Sequence, residues 1–312
     1  VVDDPVIGFY NRGRELEIIS YSEPGFDSIF SGNTTDICPV GALTTADFHF
    51  GARPWEMQAK DSICTQCPVG CNITYNIRRE AKSDGRMVIK RVMPRQNEEV
   101  NEIWICDKGR FTYHYYESSE RLTKPLVKKD GELVETSWDE AIKLAAENVR
   151  AAGSRLAVIA SGRLSNEDLF TLKEFTDKVE GKAILHTTIS GGDMVSLAGM
   201  PAGSNLGSLG KGSVIVVFAS DLHQEAPLWW LRVKQAAERG AILVVANPRK
   251  TRLDKHATQS IRYNYGEELQ AIERMMTTPD ISQAIKEGDN LVLFYGSEGL
   301  GLTGSGKVAQ SL

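Results

Sequence analysis

The stretches DSICTQCPVGC and NEIWICDKGRF place Cys64, Cys67, Cys71 and Cys106 at the spacing C-x2-C-x3-C-x34-C. This spacing constrains the fold more than any other feature, because the chain after Cys71 must leave and return if the fourth thiol is to join the first three. Two β-like runs lie in the interval, NITYNIRRE (72–80) and RMVIKRVM (86–93), around KSDG. The Asp84-Gly85 pair there is a hairpin turn signal. A hairpin carries the chain out and brings Cys106 back beside the other three.

Four thiols so arranged point to a metal centre, and two kinds compete. Structural zinc takes four cysteines as a tetrahedron, usually from two C-x2-C knuckles. Three thiols on one loop with a remote fourth suit a cubane iron–sulfur cluster, in which each iron is capped by one Cys. On spacing alone iron–sulfur leads, with zinc and unligated thiols open. Pro68 and Gly70 fit a tight loop whose backbone N–H groups point at sulfur and tune a reduction potential. A disulfide framework is not required, since a chain of 312 residues builds its own core. The fifth cysteine, Cys38, sits in DICPVGAL. A Cys-Pro pair closes the cluster run of bacterial ferredoxins, but alone it is also compatible with a buried free thiol.

Length gives a prior of about two domains. Net charge −5 and a pI near 5.7 give no basic face for a nucleic acid. The apolar runs SVIVVFAS (213–220) and AILVVAN (241–247) are too short to span a bilayer and read as buried parallel strands. Membrane contact is therefore expected only through a partner. The opening VVDDPVIGFYNRGRELEIISYSEPG reads as mid-domain sequence, and the closing GSGKVAQSL as a helix cut short. The expectation is a fragment, with the companions of Cys38 upstream of Val1.

Residues 1–57 read as irregular. After residue 119 strands and helices alternate. Residues 137–153 read as a helix capped by Ser137 and ended by Gly153, and 155–161 as a strand. Residues 165–181 read as a helix with Leu169, Leu172, Phe175 and Val179 on one face. Ser165 and Asp168 have capping-box spacing. KAILH, SVIVVFAS, AILVVAN and NLVLFYG are further strands, and 226–240 a helix ending at Gly240. This alternation predicts a doubly wound parallel α/β domain behind a small β-rich, cysteine-bearing one.

Four stretches carry a more specific resemblance: FSGNTTDICPVGALTTADFHFGARPWEM (30–57), the C-x2-C-x3-C loop, RVMPRQNEEVNEIWICDKGRF (91–111) and RLTKPLVKKDGELVETSWDEA (121–141). With them the chain resembles the large iron–sulfur subunit of bacterial respiratory complex I, the proton-pumping NADH:quinone oxidoreductase. The resemblance implies that Cys64, Cys67, Cys71 and Cys106 bind a [4Fe–4S] cluster found in some members, off the main electron path. It implies that Cys38 is the last ligand of a second [4Fe–4S] cluster on that path, giving one complete and one partial site. Lys108, beside the fourth Cys, is a candidate for cluster tuning, against the plain reading of a solvated lysine. GSVIVVFASDLHQEAPLWWLRVKQAAERGAILVVANPRKT (212–251) resembles the molybdopterin-oxidoreductase α/β domain, here expected to keep the fold without molybdopterin. The implied domains are a ferredoxin-like remnant (1–57), a [4Fe–4S] domain (58–118) and a partial molybdopterin-oxidoreductase-type domain (119–312). Implied partners are the flavin/NADH-binding subunit, small iron–sulfur subunits and connecting subunits. The implied place is the cytoplasmic face of a bacterial plasma membrane, with no catalytic acid or base in this chain.

GLTGSGKV (301–308) satisfies G-x4-G-K, but Val308 stands where a phosphate loop needs Ser or Thr. The glycine-rich stretch 190–212 lacks G-x-G-x-x-G and reads as a loop. His49, His114, His186, His223 and His256 show no ligand spacing, and Trp229-Trp230 reads as core packing or a subunit contact. Two rivals stay open. One is a molybdopterin enzyme such as the catalytic subunit of an NAD-linked formate dehydrogenase, against which stands the lack of any Cys after Cys106. The other is a non-redox zinc scaffold.

Overall fold

The computed structural model describes residues 6–21, 23, 25–198 and 205–312. The chain divides into two compact units, one made of residues 1–113 and 189–312, the other of residues 114–188.

The first unit opens with strands β1 (Ile7–Tyr10) and β2 (Glu17–Ser20), paired antiparallel. This corrects the expectation that the first 57 residues are irregular. IGFY and EIIS are short β-favouring runs, and Asn11 and Gly13 adopt the left-handed backbone that reverses the chain. Helix α1 (Asn33–Ile37) ends at Cys38. Strands β3 (Gln58–Ile63), β4 (Asn72–Glu80) and β5 (Arg86–Pro94) form an antiparallel sheet in that order. Asp84 and Gly85 both take positive φ in the β4–β5 turn, as their sequence signal requires. Helix α2 (Asp107–Phe111) begins directly after Cys106.

The second unit holds an antiparallel hairpin, β6 (Leu126–Lys129) and β7 (Glu132–Glu135), turned by Asp130-Gly131. Helix α3 (Trp138–Ala152) follows, its Ser137 cap accepting from the Glu140 N–H. Strand β8 (Ala157–Ser161), helix α4 (Asn166–Lys178) and strand β9 (Lys182–His186) make a β-α-β element with the strands parallel. Ser165 caps α4 through the Asp168 N–H. Along α4, Leu169 and Leu172 are half-buried but Phe175 is exposed, and all five residues of β9 are exposed.

The chain then returns to the first unit through helix α5 (Gly192–Ala198), which lies within the stretch expected to be a loop; residues 199–204 lie outside the described residues. Strand β10 (Ser213–Phe218), the short helix α6 (Leu222–Glu225), helix α7 (Pro227–Glu238), and strands β11 (Ile242–Ala246) and β12 (Gln259–Ile261) follow. Helices α8 (Glu268–Thr277) and α9 (Pro279–Glu287), strand β13 (Asn290–Tyr295) and helix α10 (Leu302–Ser311) complete the chain. The sheet is wholly parallel in the order β12-β11-β10-β13. All six residues of β10 are buried, as a central parallel strand demands. The molecule is thus mixed α/β, with its parallel strands in separate sheets of four and two.

Helix α7 joins the cysteine region to the parallel sheet. It starts at Pro227, where the missing N–H costs nothing, and Gly240 then turns the chain with positive φ. Its apolar residues Leu228, Trp230, Leu231 and Val233 share one core with Cys64, Cys71, Cys106 and Phe30. Each such side chain contributes roughly 1.5–3 kcal/mol by leaving water. Trp230 packs against Phe30 and His223, while Trp229 is partly buried beside Phe294, so both tryptophans serve the core. Arg232 anchors the same helix to the Glu102 carboxylate and the Glu98 carbonyl. No helix of the described residues is long and apolar enough to cross a membrane.

Candidate metal centre

Three of the thiols lie on the loop joining β3 to β4. Ile63 faces Asn72 across the ladder, and the Cys64 N–H donates to the Cys71 carbonyl at 2.8 Å, so the loop is pinched at its base. Gly70 has φ +63°, which lets so short a loop close. The fourth thiol returns as the spacing requires. After β5, the fully buried Asn101 pins the returning chain: its Oδ1 accepts from the Asn72 N–H (2.9 Å) and its amide donates to the Trp104 carbonyl (3.1 Å). Those contacts fall one residue after Cys71 and two before Cys106. Nothing in the local sequence marks Asn101, because its partners lie 29 positions away or across the turn.

Cys64, Cys71 and Cys106 are buried, Cys67 is half-buried, and all four are free thiols. Burial is the largest influence on each and raises all four above the ordinary thiol value. Cys106 is pushed up to about 11, and Cys71 further, by burial and then by the charges of Cys67, Cys106 and Cys64. Against this, backbone N–H groups of Gln66, Val69 and Gly109 favour the thiolates of Cys64, Cys67 and Cys106 respectively. Lys108 is exposed, yet its charge favours the thiolates of Cys64 and Cys67. A Cβ on Gly109 would lie 3.1 Å from the Cys64 sulfur, so glycine lets the α2 backbone approach the site. Three buried thiols and the half-buried Cys67, whose charges disfavour the thiolate of Cys71, with N–H donors and a lysine around them, suit a cationic centre that deprotonates them on binding. No three of these thiols, nor any other three His, Cys, Asp or Glu groups among the described residues, are placed to hold a single metal ion, so the site is marked by burial, by the action of the thiols' charges on one another and by the N–H donors.

Cys38 stands apart. It is half-buried at the end of α1, and the loop after it turns the N–H groups of Leu43, Ala42, Val40 and Gly41 toward its sulfur. Led by the Leu43 N–H, they hold this thiol below its ordinary value.

The parallel sheet presents a different arrangement. In open α/β sheets, ligands bind outside the carboxyl ends of the strands. There Arg249, after β11, pairs with Asp221 after β10 (2.9 Å) and with Glu298 after β13 (2.9 Å). The Glu298 N–H donates to the Ala219 carbonyl at 2.9 Å, and Glu225 accepts from the Ser220 hydroxyl at 2.8 Å. Arg249 bridges two carboxylates across the crevice, with Glu225 a third acidic group beside Asp221, a poor cradle for the phosphates of a dinucleotide. GLTGSGKV offers no cradle either: Gly301 is the N-cap and the residues after it are helical, leaving no loop to wrap a phosphate.

Residues 121–297 match the family Molybdopterin oxidoreductase. That is more than half of the chain, and the chain belongs to this family. Ahead of that segment, residues 57–114 match NADH-ubiquinone oxidoreductase NDSU1/NuoG-like, 4Fe-4S domain, and residues 1–44 match NADH-quinone oxidoreductase subunit 3, ferredoxin-like domain. The chain is similar to the G-type subunit of NADH-quinone oxidoreductase from Streptomyces coelicolor, at 34% identity over 76% of this chain and 30% of that protein. It is similar to the Rickettsia felis protein of the same name at 30% identity, over 93% of this chain and 42% of that protein. The chain therefore spans less than half the length of these relatives. Among solved structures, acetylene hydratase from Pelobacter acetylenicus matches with a TM-score of 0.48 and 15% identity, over 73% of this chain and 35% of that one. The resemblance drawn from the cysteine motifs thus holds, and the four-thiol site falls within the matched iron–sulfur segment.

Proposed function

We propose that the chain is an iron–sulfur electron-transfer subunit of NADH:quinone oxidoreductase, passing electrons from an NADH/flavin module toward quinone. The observation that carries this is that Cys64, Cys71 and Cys106, from the β3–β4 loop and the start of α2, share one buried core with Cys67 packed against it, near enough for the charges of the other three to act on Cys71. In this reading Cys64, Cys67, Cys71 and Cys106 hold a [4Fe–4S] cluster, and Cys38 is the last ligand of a second one. Such a cluster supplies a one-electron redox change. The protein's own part is burial, which excludes water, and N–H donors from Gln66, Val69 and Gly109, which set how readily the thiolates carry charge. Lys108 favours added negative charge and so raises the potential.

The domains of this reading are residues 1–57, 58–118 and 119–312, the last a doubly wound α/β fold that holds no molybdopterin. The Arg249 bridge across the carboxyl edge of the sheet supports that last point. The partners are the flavin/NADH-binding subunit, small iron–sulfur subunits and connecting subunits, with the assembly on the cytoplasmic side of a bacterial plasma membrane. A molybdopterin enzyme is the second reading, favoured by the family match of residues 121–297 and opposed by the bridged crevice.

The test is the iron, zinc and molybdenum content of anaerobically purified protein, with a low-temperature EPR spectrum after dithionite reduction. The expected result is about four irons per chain, no molybdenum, and a reduced [4Fe–4S] signal. Stoichiometric zinc without a signal overturns the reading in favour of a structural site, and molybdenum moves the chain to the second reading.

A further inference from the structure

The fourth thiol is held in place from outside its own hairpin. On one side of Cys106, the Ile105 N–H donates to Asn33 Oδ1 (3.2 Å), and Asn33 Nδ2 donates back to the Ile105 carbonyl (2.7 Å). On the other side, the Asp107 N–H donates to the Ile29 carbonyl (2.7 Å). The Asp107 carboxylate accepts from the N–H groups of Ser31 (3.0 Å) and Gly32 (2.8 Å) and from the Ser31 hydroxyl. One turn further along α2, the buried Arg110 pairs with Asp36, while its N–H donates to the Cys106 carbonyl at 3.0 Å. A Cβ on Gly32 would lie 2.3 Å from Arg110 Cδ, so only glycine lets the two segments close to this distance.

Asn33 and Arg110 are 4% and 3% exposed. Burying such polar groups is costly unless they are bonded: both polar atoms of the Asn33 amide bond to Ile105, and the Arg110 Nη groups reach Asp36, the Val92 carbonyl and Asn33, although its Nε has no partner. Here the bonds run between the segment that ends at Cys38 and the two residues flanking Cys106. We propose that residues 29–36 form a brace that positions Cys106 as the fourth ligand, so that the two cysteine sites rest on one shared support. Asn33, Asp36, Asp107 and Arg110 are then positioning residues that touch neither site's sulfurs directly. The proposal rests on the reading that the four thiols hold a metal centre.

The test uses the full chain purified anaerobically, with its bound metal identified by elemental analysis. Metal release to excess EDTA is followed together with iodoacetamide labelling of each cysteine, read by mass spectrometry. Asn33→Leu keeps the bulk and removes the bonds to Ile105. It is expected to release metal about tenfold faster than the unchanged chain, the scale on which groups behind a ligand act. Cys106 is expected to label before Cys64. Ser31→Ala, a milder change, shifts both in the same direction and serves if Asn33→Leu does not fold. Ile281→Ala, buried in a separate core cluster, loses stability but is expected to keep the original release rate and labelling order. Equal release from the Asn33 and Ile281 variants, or Cys64 labelling first, overturns the brace. Bound zinc would overturn the cluster reading while the same comparison still judged the brace; with no metal bound, the labelling order alone judges it.

Discussion

Cys71 and Cys38 are the same side chain in opposite settings. Cys71 is buried among three other thiols, and burial followed by their charges drives its thiol value upward. Cys38 is half-buried, and the N–H groups of Leu43, Ala42, Val40 and Gly41 draw its value down. The difference teaches that sulfur can be readied for a metal in two ways. A buried set is made costly to ionise without a cation and is settled by binding one. A single thiol in a ring of amides ionises more readily than a free one. In the first arrangement three of the thiols lie in one core with Cys67 packed against it.

The widest separation between the two settings is therefore metal content. Cys71→Ser is expected to abolish the reduced EPR signal and take bound iron from about four per chain to below about one, since a [4Fe–4S] cluster uses all four thiolates. Cys38→Ser is expected to change neither quantity, because the five cysteines of these 312 residues leave Cys38 without the three further thiolates that a second cluster needs. Retained iron in the Cys71 variant, or iron lost from the Cys38 variant, would erase the distinction.

Much of the first site was legible in sequence. The C-x2-C-x3-C loop is local, and Asp84-Gly85 fixes the return of Cys106 through backbone conformation alone. The buried strands 213–218 and 242–246 were legible from unbroken apolar runs, and Ser137 and Ser165 cap their helices as their positions foretell. What sequence hid was long-range. Asn33 and Asn101 look like ordinary loop asparagines, but they bond to backbone 72 and 29 positions away, and no local pattern carries that. The β1–β2 hairpin was hidden because four-residue strands are too short for alternation to stand out. KAILH and SVIVVFAS share the same apolar character, yet β9 is exposed and β10 fully buried. Composition marks a strand but does not say which neighbours cover it.

Glycine substitutions probe the same contrast on a smaller scale. Gly109→Ala puts a methyl group 3.1 Å from the Cys64 sulfur, and packing conflicts of this kind cost about 1–3 kcal/mol. Gly41→Ala meets nothing within 4 Å, but its φ of +63° strains any other residue by about 1–2 kcal/mol. Both are expected to lower the urea midpoint, read by circular dichroism. Only Gly109→Ala is expected to speed metal loss, because only its strain falls at one of the four thiols that make the complete site. Equal effects on metal loss would mean that the Cys38 loop and the four-thiol site are not separate environments.

The smallest expected effect is a titration. A thiol held below its ordinary value is thiolate over a wider pH range, and the thiolate is the form that alkylates. The rate of Cys38 alkylation is therefore expected to rise with pH and reach half its maximum at a lower pH than that of a free cysteine measured alongside. Leu43→Pro removes the N–H that contributes most to this lowering, and the half-maximum should then move up toward the free value. The sign follows from which form the amides bond: they stabilise the anion, so losing one favours the proton and moves the midpoint to higher pH. Cys64, Cys67, Cys71 and Cys106, all raised by burial, should stay unreactive at pH values where Cys38 is already labelled. A Cys38 midpoint at or above that of free cysteine, unmoved by Leu43→Pro, would mean that the loop after Cys38 does not bring its amides to the sulfur. The contrast between the two settings would then reduce to burial alone.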